Sequence, residues 1–426
     1  MDNQVWARDP KQFFISLFEA AVAAADPERT IRAFLPQKPK GRTIVIGAGK
    51  GAAQMAAAFE KAWDGPLEGA VVTRYGYAAP TERIEVLEAS HPVPDQPGLE
   101  ASARMMSLVE NLSEDDLVVA LVCGGGSALL PAPAGSLTLE DEIAVNEALL
   151  ASGAPISAMN TVRKHISRIK GGRLAAAAHP ARVVSLVVSD IPGDDPALVS
   201  SGPTVPNNAT RQDALAIIEA YGMKLPERVM QHLQSDEANA PLPDDSCFSR
   251  NEVHVIASAA RSLEAAAKLA AEQGLKAHIL SDSIEGEARE VARVHGAIAR
   301  EVAANDRPFQ RPALILSGGE TTVTITGKGG RGGRNSEFLL GLSLEIEGHD
   351  GVNAFAADTD GIDGSEDNAG AFADGTTVAR LRAAGHDPKV LLARHDSWGA
   401  FDAVGDIYAP GPTGTNVNDL RAILIT

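Results

Sequence analysis

Six loops of this chain pair glycine with charge or hydroxyl, and each could do chemistry. The first, residues 44–52, reads IVIGAGKGA, with Gly47, Gly49 and Ala52 on the G-x-G-x-x-G/A spacing of dinucleotide-binding turns. Backbone N–H groups at a strand-to-helix turn of this kind suit an anion, usually phosphate. It is not a Walker A loop, because Ser or Thr does not follow Gly49-Lys50. Lys50 stands inside the glycines, where a fixed cation would face bound anionic oxygen. An anion site is preferred here to a plain turn with a solvated lysine. The second loop, CGGGSALLPA at 123–132, offers Gly125, Gly126 and Ser127 as a cradle of donors. It nearly matches the nucleophile elbow G-x-S-x-G, but position 129 is Leu, which disfavours a serine hydrolase.

The third segment, NTVRKHISRIKGGR at 160–173, gathers Arg163, Lys164, Arg168, Lys170 and Arg173 in an otherwise acidic chain. Local positive charge of this kind concentrates carboxylates and phosphates. The spacing spreads the cluster over more than one face, so not all of it can touch one ligand. The fourth, SDIPGDDPALVSSGP at 189–203, holds Asp190, Asp194 and Asp195 at the end of an apolar run. Asp190 is read as a general base or a magnesium ligand, and Asp195 as a helix cap before Pro196. The fifth, 317–335, sets Glu320 beside paired glycines and carries Lys328, Arg331 and Arg334 on GKGGRGGRN, a phosphate-clamp composition. The sixth, ADTDGIDG at 357–364, offers Asp358, Asp360 and Asp363 for a hard cation, although Ile362 and the lack of a closing Glu exclude an EF-hand. Thr415 and Asn416 add neutral hydrogen-bonding groups near the end. The histidines are dispersed, with no H-E-x-x-H, and only His91 lies in a loop with other special residues.

These loops need rigid elements behind them. Apolar runs at 43–46, 70–73, 84–87, 117–123 and 183–189 read as strands buried on both faces, alternating with helices such as 52–62, 98–112 and 158–169. The alternation predicts an α/β fold: a Rossmann-like, doubly wound and mostly parallel sheet. Residues 234–251 break the pattern, which sets an N-terminal domain at 1–240 and a second α/β domain at 250–426. In the second, strands at 313–316 and 321–326 are expected to form a hairpin, and the last residues to be free to pack back on the first domain.

The chain has 426 residues and a formal net charge of −18, long enough for two or three domains. An acidic surface argues against nucleic acid and anionic membranes as partners. Cys123 and Cys247 make no disulfide framework and no zinc spacing. No signal peptide and no membrane-length apolar run stand out, so the expectation is a soluble cytoplasmic protein. The oligomeric state stays open, a homodimer included.

The ordered set IGAGKGAA, SHPVPD, CGGGSALLPAP, NTVRKHISRIKGGRLA, SDIPGDDPALVSSGPT, LSGGETTVTITGKGGRGGRNSEFLL, DTDGIDG and GPTGTNVND resembles the class II glycerate 2-kinase family, which carries a C-terminal MOFRL domain. The resemblance spans nearly the whole chain. It implies ATP-dependent phosphorylation of D-glycerate at the 2-hydroxyl, with Mg²⁺, in a cleft between two α/β domains. By motif it carries function to Lys50, Asp190, Glu320, Arg334, Asp360 and Asn416, with Arg331 competing for the role of Arg334. Lys50 and Arg334 would stabilise the transferring phosphoryl group, Asp190 would be the base, and Glu320 and Asp360 would hold the metal or its waters; exchanging the roles of Asp190 and Asp360 fits the sequence equally well. Ser127, with Arg163 nearby, would hold phosphate or the glycerate carboxylate. The alternative is an NAD(P)H-dependent hydroxypyruvate reductase, drawing on the first glycine turn and Arg74. A non-catalytic binder of phosphorylated metabolites would leave the acidic loops without purpose.

Overall fold

The computed structural model describes residues 5–325, 327 and 329–426, so Thr326 and Lys328 lie outside the described residues. Two compact units divide the chain: Pro27–Ile256, and Ala257–Thr426 together with the chain start up to Asp26.

The first unit is built on a six-stranded sheet: β1 (Thr43–Ala48), β2 (Glu68–Arg74), β3 (Ile84–Ala89), β4 (Leu117–Cys123), β5 (Arg182–Val188) and β6 (Glu252–Ala257). Their spatial order is β3-β2-β1-β4-β5-β6, and the pairs β3–β2, β2–β1, β1–β4 and β4–β5 are parallel. That is the doubly wound order, and its direction reverses between β1 and β4, where open α/β sheets place ligands outside the strand carboxyl ends. Every residue of β1 and β4 is buried, as expected for strands covered on both faces. Helix Ala52–Ala62 follows β1 and helix Gln96–Val109 follows β3; the latter packs Ala101, Met105 and Leu108 into the core beneath the sheet.

The second unit holds β7 (Ala277–Ile279), β8 (Gly286–Glu287), β9 (Ala313–Ser317), β10 (Thr321–Thr322), β11 (Val352–Asp358), β12 (Gly370–Asp374), β13 (Ile407–Tyr408) and β14 (Asp419–Ile425). Its main sheet runs β13-β12-β11-β14-β9-β7, antiparallel except for the β7–β9 pair.

Four sequence expectations give way here. The final strand β14 does not return to the first unit: it lies between β11 and β9, with all seven residues buried. The hairpin does not form; β10 pairs in parallel with β8 instead of folding back on β9. The domain boundaries also differ. Helix Pro10–Ala24 belongs to the second unit, because Phe13, Phe14, Leu17 and Phe18 sit in its core, Phe14 stacked on Phe355 at 5.9 Å and Phe18 edge-on to Tyr408 at 5.3 Å. Strand β6, expected in the second domain, is an edge of the first sheet. Helix Ile156–His165 also stops short of residue 169, with Ile166 as its cap. Among the described residues no helix is long and apolar enough to cross a membrane.

Burial has an acid-side consequence. His91, His165 and His295 are each lowered from 6.5 to about 4, chiefly by desolvation. His295 faces the Val291 carbonyl and the Ser317 hydroxyl, both at 2.9 Å, an environment matched to a neutral ring. Between about 4 and 6.5 the unfolded chain binds protons that the folded chain refuses. Stability from these groups is therefore full above pH 6.5 and is lost as pH falls toward 4. Urea midpoints should fall from pH 7 to pH 5, and His295→Gln should shrink that fall; a midpoint that holds or rises refutes the reading.

Candidate active site

The candidate residues fall into two groups, one within each unit. In the first unit the ends of β1, β3, β4 and β5 bring Lys50, His91, Gly124–Ser127 and Asp190 together. Gly49 has φ +134°, and a Cβ there would lie 2.3 Å from the Cys123 carbonyl oxygen, so glycine lets the end of β1 lie against β4. Gly47 is likewise packed on Leu121 of β4. Both glycines serve this close approach. The turn is pinned by Lys50 N–H donating to Gly124 O at 2.8 Å, Gly51 N–H to Cys123 Sγ at 3.2 Å, and Thr73 Oγ1 to Lys50 O at 3.1 Å. The Lys50 ammonium has no hydrogen-bond or ion-pair partner among the described residues. Its stem is held: a Cβ on Gly125 would meet Lys50 Cγ at 3.0 Å and His91 Nε2 at 3.2 Å. A Cβ on Gly124 would collide with the Asp190 carboxylate at 1.7 Å, so Asp190 rests directly on the glycine turn.

Sequence reasoning left His91 without a role. Burial, then the charges of Lys50 and Arg74, lower it to about 4, so it is a neutral imidazole at pH 7. Its position after β3 and its place in SHPVPD were the available signal. The Cys123 thiol, pushed up to about 12 by burial, is a packing group and not a nucleophile.

Ser127 is oriented by a chain that the motif alone did not show. Its hydroxyl lies 2.7 Å from that of Ser201, which donates to Asn160 Oδ1 at 2.9 Å; Arg163 donates to the same oxygen at 3.2 Å and to Asn146 Oδ1 at 2.8 Å. Arg163 thus supports Ser127 through two intermediates. Ser200 and Ser201 have φ of 52° and 61°, a left-handed pair that non-glycine residues seldom adopt. Strain of this kind persists where surrounding bonds over-determine it, and it clusters at functional sites. Here the bonds include Ser200 Oγ to Cys123 O at 2.6 Å. Asp195 accepts from Ala197 N at 2.9 Å in a turn; the segment after it is not an α-helix, so its expected helix cap is a turn bond.

In the second unit Arg334 is the hub. Its Nε donates to Asp419 at 2.7 Å, Nη1 to Glu320 at 2.8 Å and Nη2 to Asp358 at 2.7 Å. Burial would lower its pKa, but Asp419, Asp358 and Glu320 outweigh it and hold the guanidinium charged. Burial raises Asp358 despite Arg334. The sequence presented Arg334 as a phosphate cation; the structure commits its fork to three carboxylates. Arg331, the competitor, stacks over Trp398 with its guanidinium 3.9 Å from the ring centre. Asp363 caps helix Arg334–Glu345, accepting from Asn335 N at 2.9 Å and Ser336 N at 2.8 Å, where a carboxylate suits the helix dipole. Arg421, wholly buried, bonds Asp419, Thr321 and the Gly318 carbonyl. Asp358, Asp419 and Arg421 were not all legible as one network, because Asp358 stands about 60 residues before the other two in sequence. Asp360 joins through its N–H to Asp358 Oδ1 at 3.1 Å, while Asn416 Oδ1 accepts from Asn418 N at 3.1 Å and does not bond Arg334, whose fork goes to Asp419, Glu320 and Asp358.

For a divalent ion, no group of three or more His, Cys, Asp or Glu side chains among the described residues is arranged to hold one. Mg²⁺ does not need such a cage: it is commonly held by one or two carboxylates together with substrate phosphates and water. Glu320 uses Oε1 for Arg334 and Asp360 uses Oδ1 for Ile362 N, which leaves each a second oxygen with no partner among the described residues. The donor set therefore fits a Mg²⁺ that arrives with a nucleotide.

Comparison with known proteins points the same way. A family model described as a domain of unknown function (DUF4147) matches residues 13–234, and one described as the MOFRL family matches residues 313–419. The chain is 52% identical to a protein of Agrobacterium vitis named as a hydroxypyruvate reductase, covering 99% of this chain and 95% of that one. It is 40% identical to the D-glycerate 2-kinase of Thermotoga maritima, covering 97% and 98%. The crystal structure of a glycerate kinase from Thermotoga maritima superposes with a TM-score of 0.90 at 39% identity, covering 98% of this chain and all of that one. With its motifs in order along the sequence and both comparisons spanning nearly its full length, the chain belongs to the MOFRL-domain glycerate 2-kinase family.

Proposed function

We propose that the chain transfers the γ-phosphoryl group of ATP to the 2-hydroxyl of D-glycerate, giving 2-phospho-D-glycerate and ADP. The observation that carries this is Lys50: a cation with no protein partner among the described residues, held by its stem at the β1–β4 reversal beside a glycine turn and a carboxylate. Phosphoryl transfer is mostly positioning and charge neutralisation, and these residues supply both. Lys50 stabilises negative charge on the transferring group. Asp190 accepts the proton of the 2-hydroxyl as the oxygen–phosphorus bond forms. Ser127, aligned through Ser201 and Asn160, with the backbone N–H groups beside it, holds the glycerate carboxylate or a phosphate oxygen. Neutral His91 next to Lys50 adds a hydrogen-bonding group without adding charge. Glu320 and Asp360 would hold Mg²⁺, which supplies charge neutralisation for the nucleotide phosphates. Arg334 keeps the neighbouring acids in place.

The hydride-transfer alternative loses its main support. An NADP-type reductase would use Arg74 for the extra phosphate, yet its guanidinium stacks over Tyr77 at 3.6 Å. No acid ends β2 to bind a ribose.

The test is an assay with ATP, Mg²⁺ and D-glycerate, resolving 2- from 3-phosphoglycerate, beside a control with NAD(P)H and hydroxypyruvate. Magnesium-dependent 2-phosphoglycerate is expected; NAD(P)H oxidation with no ATP use would reverse the reading. Asp190→Asn should lower turnover about a hundredfold, the usual scale for a lost general base. A loss confined to KM would assign Asp190 to binding instead.

A further inference from the structure

The basic segment 160–173 holds more cations than the proposed reaction uses, and the structure shows where each goes. Arg163 bonds Asn146 and Asn160. Lys164 bonds the side chain and carbonyl of Asn207. Lys170 is buried against Glu142 at 2.6 Å and the Leu130 carbonyl at 2.7 Å. Two remain, Arg168 and Arg173, and they line one cavity of about 320 Å³ with Ser167, Gly135, Ala134 and Glu237.

Neither arginine has a carboxylate within ion-pair distance among the described residues. The exposed Arg168 makes no side-chain bond there, although its backbone is pinned by N–H donation to Ala132 O at 2.7 Å. Arg173 meets only carbonyls, Asn239 O at 2.7 Å and Ala238 O at 3.5 Å, and its Nε is buried without a partner. Lys164 adds to the field: burial, then the charge of Arg173, lowers it to about 8. In a chain of net charge −18, one acid, Glu237, lies on this wall, and among the described residues it forms no ion pair with either arginine. Arg173, whose pKa burial lowers, is partly desolvated without an anion; that is costly, and a bound anion relieves the cost.

We propose that the cavity lined by Arg168 and Arg173 is a second oxyanion site, separate from the Lys50 turn, that binds a small phosphate ester. Two guanidinia suit the oxygens of a phosphate, which each can grip with paired N–H donors. Glu237, on the same wall, sets the rest of the ligand. It repels a second anionic group and accepts from a hydroxyl, so the ester carries one phosphate and a hydroxylated remainder. Arg168 also borders a neighbouring cavity along helix Gln96–Val109, but Arg173 does not, which places the paired charge in the first.

Isothermal titration of inorganic phosphate, with acetate in parallel, tests this on the full chain. Lys50→Ala should keep a saturable phosphate site. Arg168→Ala, an exposed change that spares the core, should weaken phosphate about tenfold or more, and Arg168→Lys should restore part of it. Glu237→Gln should tighten phosphate. Phosphate affinity unchanged in Arg168→Ala, or no saturable phosphate binding left in Lys50→Ala, overturns the site. Acetate binding as tightly as phosphate overturns the phosphate assignment.

Discussion

Lys50→Ala is expected to lower kcat for glycerate phosphorylation by about 10³-fold while leaving the urea midpoint almost unmoved. The two halves of this result rest on different atoms. Structural work at position 50 is done by the backbone, through the bonds to Gly124 and Thr73, and alanine keeps both. The ammonium contributes to no folded-state contact among the described residues, so its loss falls on charge developed during transfer. If Lys50 acts only in the transition state, kcat and kcat/KM fall together. A rise in KM alone would make it a ground-state binding group. Arginine should rescue poorly, because the stem lies against Gly125 and His91 and leaves little room for a planar fork. Near-normal turnover in the alanine variant would remove the central claim.

Arg334→Ala is expected to cost roughly 3–5 kcal/mol of stability and to abolish activity, the usual penalty for removing one partner of a buried ionic network. Glu320, Asp358 and Asp419 all bond its fork, Asp419 sharing Arg421 as a second cation, and Asp358 and Asp419 are buried. Lysine should recover little, since a single ammonium cannot serve three carboxylates arriving in one plane. The loss should be greater at pH 8 than at pH 5, because acid neutralises the orphaned carboxylates. Chemical denaturation of the two variants at both pH values reads this directly. A cost under about 1 kcal/mol at pH 8 would show that the acids need no cation, and the network would then be ornamental to folding.

Much of the first unit could be read in the sequence. Runs such as LVVALVC are apolar throughout because both faces are covered, and a local window suffices to see that. The glycine turns and Asp190 followed, since they sit at strand ends. What escaped depends on partners remote in the chain. Phe13 and Phe18 announced an amphipathic helix, but nothing local names Phe355 and Tyr408 as what covers it. Thr321–Thr322 resembled half a hairpin because sequence shows β propensity and not which strand offers its edge. Arg334 was visible as a cation among glycines, whereas the three acids that take its fork come from the β9–β10 connection, the end of β11 and the start of β14. His91 showed its type and its motif; the shift in its titration comes first from burial, then from the charges of Lys50 after β1 and Arg74 at the end of β2.

The placement of helix Pro10–Ala24 bears on how the protein is made. Its phenylalanines are synthesised roughly 400 residues before β14, the strand that completes the sheet covering them. At about 5–20 residues per second, that leaves an apolar helix uncovered for about 20–80 s, while Pro27–Ile256 has all its strands in hand far earlier. During translation the chain therefore carries an adhesive helix next in sequence to a unit that can already be folded, and a holding chaperone would find its target in helix Pro10–Ala24.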